Sequence, residues 1–187
     1  MIEKWTVSDS THLVSDEWLQ LRRDVCWDRG VEIAPYYIFE YRPWVTIIPI
    51  TPRQELVLIR QYRHGSGQIE IEVPGGNTEP DDTDMLAAAA RELLEETGYT
   101  SSKLTELGTV SPNTASHNNL SHLILAEDAR QTHSQALDES EHIEVFTLPL
   151  EQVPELLTKG KLKQAMHVSA LYLALTHLGL VRFELTK

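Results

Sequence analysis

The strongest periodic signal in the chain lies between residues 82 and 98. At 100° per residue, Leu86, Ala90, Leu93, Leu94 and Thr97 form one apolar face of a predicted helix, and Glu92, Glu95 and Glu96 cluster opposite. Asp82, Thr83 or Asp84 can cap its start, and Gly98 can end it. Ala88 and Ala89 lean toward the acidic side, where small side chains leave room for an approaching group. Just upstream, Gln68-Ile69-Glu70-Ile71-Glu72-Val73 alternates strictly. That predicts a strand with Ile69, Ile71 and Val73 on one face and the two acids on the other, beside the loop that feeds the helix.

Strand patterns dominate the rest of the first half. Trp18 to Arg23 alternates in part, and Val31 to Tyr41 is rich in β-branched and aromatic residues. Asp28-Arg29-Gly30 between them reads as a hairpin turn. Val45 to Ile50 reads as a more buried strand, and Leu56 to Ile59 as another. After the helix, Leu104 to Val110 and Leu120 to Ala126 predict two strands around a polar loop, Ser111 to Asn119. Residues 127 to 142 predict a long acidic loop, mobile unless it serves a site. Ile143 to Leu148 predicts a strand, Glu151 to Leu157 a short helix, and Gln164 to Leu178 a largely apolar one. Strands on both sides of a helix give a mixed α/β class.

At 187 residues the chain is most simply one folded body with a real core. No apolar run approaches the roughly 18 residues of a membrane span, and the N-terminus has no signal-peptide pattern. The single Cys26 excludes an internal disulfide framework and is expected as packing in a cytoplasmic protein. A net charge of −12 argues against binding a nucleic-acid backbone. It does not argue against small phosphorylated substrates, because bound cations reverse a local field.

Three glutamates on one helix are ordinarily a solvated face. The context changes that reading: Pro74-Gly75-Gly76 precedes the helix, Arg91 lies one turn from Glu95, and Gly98 follows. Carboxylates so close repel one another and suit a hard divalent ion such as Mg²⁺. Arg91-Glu92-Leu93-Leu94-Glu95-Glu96-Thr97-Gly98-Tyr99 resembles the second half of the Nudix hydrolase box, Gx5Ex7REUxEExGU. The first half departs from it: Asp82 stands where the box has Glu, and one extra residue separates it from Arg91. Leu56-Val57-Leu58-Ile59-Arg60-Gln61-Tyr62-Arg63 resembles the branch that includes ADP-ribose pyrophosphatases.

The resemblance implies a Nudix α/β/α sandwich with a smaller N-terminal β region, divided as 1–42 and 43–187. In this branch the N-terminal region often joins a homodimer, a role that suits Trp5, Trp18, Trp27 and Trp44. The implied activity is hydrolysis of a nucleoside diphosphate derivative, ADP-ribose or a nucleotide sugar, to two phosphomonoesters. Glu92, Glu95 and Glu96, with the Gly75 carbonyl, would hold Mg²⁺ or Mn²⁺. Strand alternation does not put Arg60 and Arg63 on one face; the resemblance favours Arg63 as the diphosphate contact, with Arg60 second. Trp44 is a candidate to stack a nucleobase, against a packing role. The acidic loop would supply Glu139 as general base and Glu141 as a further metal ligand. The rival readings are clearance of damaged nucleoside triphosphates and a non-catalytic ligand sensor. The complete acidic face and the absence of a basic helix-turn-helix stretch weigh against the sensor.

Overall fold

The computed structural model describes residues 1–182 and 184. The chain forms two compact units. The first comprises Met1–Pro43 and Ser111–Leu120. Its strands β1 (Thr6–Ser15), β2 (Gln20–Asp28) and β3 (Val31–Glu40) make an antiparallel sheet in that order. The expected turn joins β2 to β3, with Arg29 and Gly30 both at positive φ, the backbone hand that suits a tight hairpin. The polar loop 111–119 extends this unit: Phe39 N–H donates to the Ser116 carbonyl at 2.7 Å, and Asn118 N–H to that of Phe39 at 3.2 Å. A charged network runs over the sheet, in which Arg22 bridges Asp24 and Glu40, and His12 also reaches Glu40. All of β1 is exposed, as are Trp5, Trp18 and Trp27; Cys26 is buried.

The second unit comprises Trp44–Val110 and Ser121–Lys187. It contains β4 (Trp44–Pro49), β5 (Glu55–Arg63), β6 (Gln68–Glu72), β7 (Gly75–Asn77), helix α1 (Met85–Thr97), β8 (Tyr99–Thr100), β9 (Lys103–Val110), β10 (Ser121–Glu127), β11 (Arg130–Gln131), β12 (Glu144–Pro149), α2 (Val153–Thr158) and α3 (Ala165–His177). One sheet has the order β7-β4-β10-β9, a second β12-β5-β6, and β8 pairs with β11. No helix among the described residues is long and apolar enough to cross a membrane.

Period-two alternation explains the layers, because β4 and β10 bury both faces. Val45, Ile47, Ile124 and Ala126 pack against Ala88, Ala89 and Leu93 of α1. Ile48, Ile50, Leu123 and Leu125 pack on the other side with Leu56 and Leu58 of β5 and Ala170, Leu171, Ala174 and Leu175 of α3. The result is the α/β/α sandwich with a separate N-terminal β region.

The apolar face expected for α1 needs a correction. Leu93 and Thr97 are buried as expected, but Ala90 is exposed, and Ala88 and Ala89 are fully buried against the sheet. Small residues let the helix axis approach β4 closely, so the buried arc turns toward 88, 89, 93 and 96. Glu96 goes into the interior with it.

Candidate active site

Helix α1 is fixed at both ends. Asp84 is the N-cap and accepts the Ala87 N–H at 2.8 Å. Gly98, at φ 72°, closes the helix by donating to the Leu94 carbonyl. A side chain at Gly98 would collide with the His133 carbonyl, so the glycine also admits the returning acidic loop.

That loop is not free. Arg130–Gln131 pairs with Tyr99–Thr100, and the N–H groups of Thr132 and His133 donate to the Gly98 carbonyl. Ala136 N–H donates to the Glu95 carbonyl at 2.9 Å, and Gln135 Nε2 to the carbonyls of Glu96 at 2.7 Å and Ile143 at 3.1 Å. The last carbonyls of a helix have no partner inside it, and the loop supplies donors to two of them. These ties hold residues 130 to 136 against the end of the helix, and the turn that carries Glu139 lies beyond them.

Arg91 ties the glycine-rich loop to the helix. Its Nε and Nη2 grip the Asp82 carboxylate at 3.2 and 3.1 Å, Nη2 also reaches the Asn77 carbonyl, and Nη1 donates to Glu92 at 3.1 Å and Glu95 at 2.9 Å. The Arg91 contact holds the Asp82 carboxyl below its usual range, and the Glu79 N–H adds to this. The acid at the first box position is therefore committed to Arg91.

The three helical carboxylates are graded in burial. Glu96 is 6% exposed and accepts the Gly75 N–H at 2.8 Å. Burial pushes it up to about 8; the Gly75 bond opposes this, while the charges of Glu92 and Glu141 add to it. Glu92 lies so near Gly76 that a Cβ there would meet its Oε1 at 2.5 Å. Burial pushes Glu92 up to about 7 against the pull of Arg91. Glu95 is 42% exposed and leans on Arg91. Among the described residues no three His, Cys, Asp or Glu side chains converge as a finished metal cage, since Arg91 draws Glu92 and Glu95 to itself. The donor set is nevertheless one of hard oxygens around the buried Glu96 and the half-buried Glu92, which fits a divalent cation.

Across from the helix, Glu72 is buried on β6. Arg63 donates to it from Nε at 3.1 Å and Nη2 at 2.7 Å, and Gln61 Nε2 adds a bond at 3.1 Å. Burial would lower the Arg63 pKa, but Glu72, with the charges of Glu96 and Glu141 behind it, holds it raised. Arg63 remains 48% exposed. Arg60 turns away to Glu144 at 3.0 Å, its guanidinium 4.1 Å over the Phe146 ring. Glu141 Oε2 accepts the Asp138 N–H, and its charge reaches Glu92, Glu96 and Arg63. Glu139 stands at the exposed apex of that turn. A groove lined by Arg60, Gln61, Tyr62, Leu137 and Glu141 runs between β5 and the loop. Trp44 opens β4, opposite Asn77 and Ser121, and is partly buried.

The profile of the NUDIX domain matches residues 40–168. The chain belongs to the Nudix family. It is 29% identical over 122 residues to the ADP-ribose pyrophosphatase of Bacillus subtilis strain 168, a match that spans 65% of each chain and so just under two thirds of that enzyme's length. It is 31% identical over 132 residues to the ADP compounds hydrolase NudE of Escherichia coli K12, over 71% of this chain and 69% of that one. A crystal structure of an ADP compounds hydrolase superposes with a TM-score of 0.85 at 27% identity, over 97% of this chain and 99% of that one. Family membership brings with it a divalent metal cofactor in general terms.

Two residues of the candidate site carry no role in a reading of the sequence. Glu72 was placed beside the loop but given no partner; its position directly before Val73-Pro74-Gly75 was the available signal. Gln135 carries no signal in sequence, because its importance comes from two carbonyls that only the folded loop brings to it.

Proposed function

We propose that this Nudix chain is a metal-dependent hydrolase of a nucleoside diphosphate derivative, ADP-ribose or a nucleotide sugar, releasing two phosphomonoesters. The observation that carries the reading is the pair of a buried Glu96 and a half-buried Glu92, pushed up to about 8 and about 7 beside a half-exposed arginine. Burying such acids for structure alone is costly. A site that receives a cation and a diphosphate turns the same burial to use.

Glu92, Glu95, Glu96, the Gly75 carbonyl and Glu141 would hold Mg²⁺ or Mn²⁺. The cation supplies charge neutralisation at the diphosphate and a more acidic attacking water. Arg63, aimed by Glu72, binds the diphosphate through its exposed corner. Arg60 stands at the groove for the remainder of the substrate, and Trp44 is the candidate for stacking the base. Water attacks one phosphorus, the bridging P–O bond breaks, and the water's proton passes to a carboxylate of the loop. Glu139 takes that proton when the loop apex folds over the substrate, since the helical acids are committed to the cation.

The test is release of phosphomonoester from ADP-ribose and nucleotide sugars with Mg²⁺ or Mn²⁺. Glu95→Gln and Glu96→Gln keep size and helix propensity, and each should lose at least ~100-fold in turnover with folding intact. Undiminished turnover in chelator, or both variants within a few-fold of the parent, would overturn the metal assignment. Tight nucleotide binding without turnover would support the ligand sensor.

A further inference from the structure

Gln135 ties together the two ends of the loop segment that carries Glu139 and Glu141. Its Nε2 donates to the Glu96 carbonyl at 2.7 Å, in the last turn of α1. The same nitrogen donates to the Ile143 carbonyl at 3.1 Å, directly before β12. A primary amide nitrogen carries two hydrogens, so one atom can serve both carbonyls. Next to it, Ala136 N–H donates to the Glu95 carbonyl at 2.9 Å. The chain from 136 to 142 therefore leaves and returns at one place, the end of the acidic helix.

Apolar burial gives that segment little support. Leu137 is partly buried, and the other residues from 136 to 142 are exposed. Inside it a turn is closed by Glu141 N–H on the Asp138 carbonyl at 2.9 Å and Asp138 N–H on Glu141 Oε2 at 3.2 Å. Leu137 and Glu141 line the groove together with Gln61, which is bonded to Glu72. Where hydrogen bonds rather than packing hold a segment, losing them opens it locally without unfolding the rest. A loop whose ends can part presents Glu141 to a cation in only a fraction of its positions, and apparent affinity falls by that fraction. We propose that Gln135 is a positioning residue for the metal and proton chemistry: by holding the Glu96 and Ile143 carbonyls together, it sets Glu139 and Glu141 at the acidic face of α1. This rests on the metal role of Glu141 given under the proposed function.

The experiment measures Mn²⁺ binding by electron paramagnetic resonance and exchange of the Glu141 amide by NMR without metal. The proteins are the parent, Gln135→Met, Glu141→Gln and the double variant. Methionine keeps the length of glutamine and removes both donors. Gln135→Met should weaken Mn²⁺ binding about tenfold and quicken exchange of the Glu141 amide by a similar factor. Added to Glu141→Gln it should weaken Mn²⁺ binding no further, because both act through one ligand. A tie that served only the fold would lower the melting temperature and leave Mn²⁺ affinity where it was. Unchanged affinity, unchanged exchange, a loss that adds in full to that of Glu141→Gln, or a parent that binds no Mn²⁺ would overturn the proposal. Should the methionine variant not fold, Gln135→Ala enters the cycle with the same outcomes. A parent that binds Mn²⁺ but releases no phosphomonoester from ADP-ribose would sink the proposed function alone, because neither readout needs turnover.

Discussion

Stripped of divalent cations, the protein should lose stability as the pH rises through neutrality, and Glu96 sets how steeply. A carboxyl with a higher pKa in the folded than in the unfolded state binds more protons when folded, so the fold weakens as pH climbs from the unfolded value to the folded one. For Glu96 that window runs from 4.5 to about 8. His167 works in the opposite sense: lowered from 6.5 to about 4, its contribution is complete above pH 6.5. Between pH 6.5 and 8 the fall therefore belongs to Glu96, with Glu92 adding to it. Linkage over that interval gives about 2 kcal/mol for Glu96. At about 2–4 °C per kcal/mol for a chain of this size, the melting temperature should drop by about 4–8 °C. The assay is calorimetric melting in EDTA at half-unit steps of pH, repeated with saturating Mg²⁺. The cation should remove most of the slope, because it favours the ionised acids. Glu96→Gln should flatten the slope in EDTA and lose the extra gain from Mg²⁺ at pH 8. A flat parent profile, or an equal slope in Glu96→Gln, would refute the reasoning.

The remaining expectations concern the loop, the loop–helix tie and the oligomer. Glu139→Gln should lower kcat with little change in KM, while Glu141→Gln should raise the metal concentration needed for half-maximal rate; abolished turnover at saturating metal in Glu141→Gln with near-normal Glu139→Gln would reverse the two roles. Asp82→Asn weakens the paired grip on Arg91 and should cost about 1–3 kcal/mol in urea unfolding, and an unchanged midpoint would show that Arg91 does not depend on it. The exposed aromatic sheet of the first unit should assemble a two-fold homodimer, read as mass by light scattering at micromolar protein, where a monomer is the contrary result.

The parts of the fold that were legible in sequence are those where local pattern and burial agree. The cap positions of α1 carry their own signal, and the structure follows them. Gln68–Glu72 forms the expected strand, but its alternation does not set its burial: Ile69 is exposed and Glu72 is buried. Arg60 and Arg63 diverge as period two demands, one to Glu144 and the other to Glu72. The buried face of α1 was misread because helix periodicity weighs alanine weakly, whereas close packing on a sheet selects for it. The short strands β7, β8 and β11 have too few residues to show a period, and their pairing partners are distant in sequence. The anchoring of the acidic loop was invisible for the same reason: it rests on helix-end carbonyls, which every sequence possesses, meeting donors that only the fold brings near.

Glu96 is the residue at which these separate constraints meet. Its carboxylate accepts the Gly75 N–H, which fixes the glycine-rich loop, and its carbonyl accepts Gln135 Nε2, which fixes the acidic loop. Arg91, five residues earlier, does the equivalent work at the other end of the acidic face, joining Asn77, Asp82, Glu92 and Glu95. Two turns of one helix thus hold both loops that carry the candidate metal, proton and phosphate chemistry. A solvated acidic helix has no need of such ties, since water would satisfy its side chains and its last carbonyls alike. Burial of Glu96, partial burial of Glu92 and attachment of the neighbouring chain to the same turns all depart from that simpler state. They follow from the helix lying close on β4 through Ala88 and Ala89, which turns the acids inward toward the glycines.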